Sequence, residues 1–81
     1  MLPNRQLEVR VRANFDGEVE VLVKLGARVL PGQGLVVVEA DRELEKLSAR
    51  NPGRVIEVHA RTGQDVQKGA LLLVIQEDPS A

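Results

Sequence analysis

The chain has 81 residues, of which 43% are hydrophobic and 28% charged, with one phenylalanine as its sole aromatic residue and no cysteine. A domain this small buries only about 60 to 65% of its unfolded surface, and here it must do so with aliphatic side chains and no disulfide. Eleven basic and twelve acidic residues are interleaved to a net charge of -1, which excludes the basic stripe of a nucleic-acid binder, and one aromatic ring is no stacking platform for bases.

In chain order, Leu7, Val9 and Val11 alternate with Glu8, Arg10 and Arg12 and predict a half-buried strand. Val19, Val21 and Val23 then alternate with Glu18, Glu20, Leu22 and Lys24 and predict a second, running to Lys24. Residues 35–38 form an unbroken aliphatic run, read as a strand covered on both faces. Residues 39–49 are charge-rich and have two readings. They can form a hairpin, or a short helix carried by the spacing of Ala40, Leu44 and Leu47 and stopped by Asn51-Pro52-Gly53. Val55, Ile56 and Val58 suggest a bulged strand, and residues 71–75 a second doubly covered one. That last run is far short of the ~20 residues that span a bilayer, and the N-terminal residues lack a signal-peptide apolar region. The expectation is a cytoplasmic protein without membrane insertion. With glycine at nearly every junction, the pattern predicts an all-β sandwich or flattened barrel. It forms one domain over residues 1–81, with its core at about 7–76 and flexible ends at 1–6 and 77–81.

The sequence repeats itself. "GARVLPGQGLVVV" from Gly26 and "GQDVQKGALLLVI" from Gly63 share Gly, Val, Gly and Leu at matching places, so that Val29 and Val66, Gly32 and Gly69, and Leu35 and Leu72 are each 37 residues apart. Upstream, "GEVEV" at Gly17 matches "GRVIEV" at Gly53 at an offset of 36. Two copies are too few for a solenoid and must close on each other to bury their apolar faces. The repeat predicts a pseudo-two-fold arrangement with residues 39–49 on or near its axis at one end.

Val23-Lys24-Leu25-Gly26, Gly32-Gln33-Gly34-Leu35, Glu39-Ala40-Asp41, Gly53-Arg54-Val55 and the run from Gly63 to Gly69, in that order, resemble the biotinyl/lipoyl attachment domain family. Its members are the swinging-arm carriers of biotin-dependent carboxylases and 2-oxo acid dehydrogenase complexes. The resemblance covers residues 7–75 and implies two four-stranded sheets with a tight hairpin that presents the modified lysine. Counted from Gly32 or back from Gly53, the family's acceptor position falls on residue 42, which here is Arg42. A guanidinium is delocalised and stays protonated, so it cannot be the amine nucleophile that amide formation needs. No cofactor is therefore expected there, and biotin or lipoate enters only if another lysine, Lys46, substitutes. Asp41 keeps the residue that lipoyl-type members place before their lysine, and it also suits any turn. Glu43 and Glu45 depart from the alternation the family shows after the acceptor.

Other candidates are weaker. Lys24 and Lys68 read as solvated surface lysines, and His59 has no second imidazole or carboxylate at a metal-ligand spacing. Gly32-Gln33-Gly34 reads as a turn, since no helix follows to hold a phosphate. Nothing in the sequence would activate Ser48. The chain is thus read as a non-catalytic, carrier-like module without a metal site. Its tip, formed by Asp41, Arg42, Glu43 and Glu45, is offered to a protein partner in a carboxylase- or dehydrogenase-like assembly. The alternatives are a genuine carrier modified at Lys46 and a fragment of a membrane-fusion or efflux adaptor, a family that splits a lipoyl-like domain at this joint.

Overall fold

The computed structural model describes residues 7–79, which contain strands and no helix. The strands are β1 (Leu7–Arg12), β2 (Gly17–Val21), β3 (Arg28–Val29), β4 (Gly34–Glu39), β5 (Leu44–Ser48), β6 (Gly53–Val58), β7 (Asp65–Val66) and β8 (Leu71–Glu77). They form two four-stranded antiparallel sheets, ordered β1-β8-β6-β3 and β5-β4-β2-β7. The pair is an open sandwich, so the flattened-barrel form of the expectation gives way to two separate sheets.

The internal repeat governs this topology. Moving 36 or 37 residues along the chain carries β1 to β5, β2 to β6, β3 to β7 and β4 to β8, which exchanges the two sheets strand for strand. Irregular hydrogen bonds repeat as well. Gly26 N–H donates to Val55 O and Gly63 N–H to Val19 O, both at 2.8 Å, and Gly32 N–H donates to Ala49 O as Gly69 N–H does to Ala13 O, again at 2.8 Å. These four glycines have φ between 86° and 92°, the left-handed region that a side chain disfavours. Gly17 and Gly53 are needed for a different reason. A Cβ on Gly17 would sit 2.6 Å from Glu39 O and one on Gly53 2.4 Å from Gln76 O, so the strands approach too closely for any side chain.

The aliphatic runs fill the space between the sheets. Leu35, Val36 and Val38 of β4 and Leu72, Leu73 and Ile75 of β8 are buried and pack with Val19, Val29 and Val55 in one core cluster. Leu35 and Leu72 are equivalent in depth as in position, at 1% and 0% exposure, while Val29 is buried and its counterpart Val66 half-buried. The bulge foreseen around Ile56 lies between Val55 and Glu57, where the β6–β8 register shifts.

β2 is shorter than the alternation suggests: Leu22 N–H still donates to Leu35 O in the β2–β4 register, and the chain then turns at Gly26. At the other end, strand pairing passes residue 76. Glu77 faces Gly53 and Leu7, and Asp78 donates its N–H to Pro52 O and pairs with Arg28. Of the ends expected at 1–6 and 77–81, residues 1–6 and 80–81 lie outside the described residues.

Candidate functional site

Residues 39–49 form a hairpin. Glu39 faces Leu44, Val38 faces Glu45, Val37 faces Lys46 and Val36 faces Leu47 along the β4–β5 ladder, and Ala40 N–H donates to Glu43 O at 2.8 Å across the turn. The helical reading fails for a packing reason. As a strand, this segment turns Leu47 onto the core beside β4 and satisfies its backbone on the β4 ladder.

Asp41 and Arg42 occupy the turn and, with Glu43, are exposed. Glu45 is not at the tip. It lies in β5, half-buried, and its Oε1 accepts a 2.7 Å hydrogen bond from Asn14 Nδ2, which makes a charge tolerable at an inward position of the strand. The alternation resumes around it: Leu44 takes the outward position at 65% exposure, and Leu47 returns to the core. Lys46 points outward from β5 with its aliphatic stem lying against Gly34 beside Leu22, so it runs along the sheet some way back from the turn.

The fold adds residues that spacing along the chain did not reveal. Glu18 faces Glu39 on one side and Asp65 on the other. Together with Gly17, Ala40 and Asp41 these three carboxylates line a shallow depression at the foot of the hairpin. Arg42 follows Asp41 on the turn beside this acidic surface. The β2–β4 and β2–β7 registers create it, and they join residues up to 47 positions apart. Among the described residues, no group of three His, Asp or Glu side chains is arranged to hold a metal ion. His59 lies far along the chain from the hairpin, exposed, with its Nε2 2.6 Å from Glu57 Oε1. Lys24, Lys68 and Ser48 are exposed.

A family model for biotin- and lipoyl-bearing domains, described as "Biotin-requiring enzyme", matches residues 8–75. The chain belongs to the biotinyl/lipoyl attachment domain family. It is 33% identical over 58 residues to the dihydrolipoyllysine-residue acetyltransferase component of the pyruvate dehydrogenase complex of Mycoplasma capricolum, a match covering 72% of this chain and 13% of that protein. A solved single-chain, multi-domain long-chain acyl-CoA carboxylase superposes with a TM-score of 0.80 at 31% identity, covering 96% of this chain and 8% of the carboxylase. The urea carboxylase of Kluyveromyces lactis superposes with a TM-score of 0.72 over 93% of this chain and 6% of its own, and at 22% identity shows the fold alone. This attachment-family domain therefore spans a small fraction of each of these proteins.

Domains of the family are carriers and not catalysts by themselves. They normally hold biotin or lipoate on a lysine. The turn of this hairpin, residues 40–43, reads Ala-Asp-Arg-Glu without a lysine, and the hairpin's lysine, Lys46, lies further along β5.

Proposed function

We propose that this domain is an unmodified member of the family, working as a protein-interaction module within a carboxylase- or dehydrogenase-type assembly. The observation that carries the proposal is Arg42. It stands on the exposed turn of the β4–β5 hairpin, at the position where the resemblance places the acceptor, and a guanidinium forms no stable amide with either cofactor. The tip keeps the shape of a presented site while its chemistry becomes that of a cation flanked in sequence by Asp41 and Glu43, with an acidic depression lined by Asp41 close by. Such a mixed-charge protrusion favours recognition and steering over covalent transfer. The assembly type is taken from two relatives, one from a pyruvate dehydrogenase complex and one a multi-domain carboxylase.

Intact-mass measurement after co-expression with a lipoate ligase and, separately, a biotin ligase tests the unmodified state. The expected result is the bare chain mass in both. A cofactor adduct on any lysine overturns the reading, and peptide mapping to Lys46 would establish the carrier alternative. For the interaction role, partners retained by the wild-type domain should be lost by the Asp41→Ala, Arg42→Ala, Glu43→Ala triple variant. Their retention would move recognition elsewhere on the surface.

A further inference from the structure

The pseudo-two-fold repeat makes β1 and β5 counterparts, each a rim strand with one row of backbone N–H and C=O groups turned away from its sheet. Their protection differs. Val9 faces Ile75 in β8 as Glu45 faces Val38 in β4, so Glu45 is the counterpart of Val9. On β5 that inward position carries a charge tied to Asn14, and Phe15 packs against the core close by. An inward charge of this kind discourages a further strand from adding to an edge.

On β1 the same position is a valine, 39% exposed, and Asn51 stands where the repeat elsewhere has Phe15. The result is an open groove of about 500 Å³ floored by Val9, Val11, Leu35 and Ile75, with Arg50 and Glu77 among its polar lining. One edge is closed by its side chains. The other is not.

We propose that β1 pairs antiparallel with β1 of a second copy of this chain about a two-fold axis at Val9, joining the two β1-bearing sheets into one of eight strands. Charge selects both the occupant and the register. With Val9 opposite Val9, Glu8 of each copy faces Arg10 of the other, and Leu7 faces Val11. The outward row then holds two opposite-charge pairs, beside the Glu8–Arg10 contact of 3.5 Å that already exists within each strand. The inward row is wholly apolar and lies across the mouth of the groove. A shift of two residues either way sets Arg10 against Arg10 or Glu8 against Glu8, and like charges directly opposite are destabilising. The hydrogen bonds of the added ladder complete the backbone groups that β8 leaves unpaired.

Sedimentation equilibrium of the 81-residue chain, carried to millimolar concentration, should show a species of twice the 8.9 kDa chain mass. Glu8→Arg and Arg10→Glu, made singly, should each weaken the dimer at least tenfold by placing like charges across the new ladder. The double variant Glu8→Arg/Arg10→Glu exchanges both signs and should restore wild-type association. Circular dichroism checks that each variant is folded, and if a single exchange unfolds the domain, Val9→Lys at the already exposed edge takes its place and should give monomer. A wild-type chain that stays monomeric throughout overturns the proposal. So does a dimer indifferent to the single exchanges, or a double variant that fails to recover.

Discussion

Arg42 separates the shape of this site from its chemistry. Because it is exposed on a four-residue turn that closes through the backbone from Ala40 to Glu43, its side chain supports little of the fold. Arg42→Ala should change stability by no more than about 0.5 kcal/mol in a denaturant titration, as expected for a surface substitution. A larger loss would make it a structural residue and undo its reading as a presented tip. Arg42→Lys supplies the amine on a turn that already has hairpin geometry, preceded by Asp41 of the lipoyl type. Mass spectrometry after co-expression with each ligase should find partial lipoylation at most and no efficient biotinylation, since no methionine flanks the position and Glu43 follows directly. Complete biotinylation would show that flanking residues hardly matter. Glu45 carries a different lesson at this scale. Its place in the charge-rich run suggested a tip residue, but the β4–β5 ladder sets it opposite Val38, and Asn14, 31 positions earlier, supplies the partner that its charge needs there.

At the scale of strands and turns, the two kinds of glycine should respond differently to a methyl group. Gly53→Ala drives a Cβ to 2.4 Å from the backbone oxygen of Gln76, and Gly17→Ala to 2.6 Å from that of Glu39, so either should cost at least about 1–3 kcal/mol through forced separation of strands. Gly26→Ala meets nothing within 4 Å and pays only for its φ of 86°, about 1–2 kcal/mol. Thermal unfolding of the three variants tests the order. If Gly26→Ala proved the most damaging, close strand approach would not be what Gly17 and Gly53 serve. Leu72→Ala removes a side chain with 0% exposure from β8 and should cost about 2–5 kcal/mol by chemical denaturation.

The long strands were readable because period-two alternation and aliphatic runs are local signals. The two-residue strands β3 and β7 were not, since two residues carry no period. The early end of β2 was hidden too, because the alternation of Val19, Val21 and Val23 runs on past Val21, where the strand ends. While the residues alone left a helix open, the position of the hairpin turn was legible through the family resemblance, counted from Gly32 and Gly53. The acidic depression beneath it was not, because it exists only once β7 and β4 flank β2.

On the scale of the whole molecule, each sheet takes two strands from each half of the repeat, so neither half can complete a sheet by itself. The pairing of β1 with β8 joins Leu7 to Glu77, and closing so long a loop must precede the contacts that reward it. Refolding followed by stopped-flow circular dichroism should accordingly take milliseconds to seconds, the range of β-rich domains dominated by distant pairings. Microsecond refolding would mean that local structure, and not the β1–β8 seam, limits the rate.

That seam also fixes how the domain could be mounted. Leu7 and Glu77 are ladder neighbours, and Asn51 reaches Glu77 from beyond the far end of β5, whereas the hairpin turn lies beside Gly17 and Asp65. Incoming and outgoing polypeptide would therefore stand side by side at one corner, like the two leaves of a hinge, and leave the opposite corner free to sweep. The repeat makes those corners interchangeable. If a short linker bridged residues 77 and 7 and the chain were opened between Asp41 and Arg42, every strand pair would survive, with the hinge now where the tip had been.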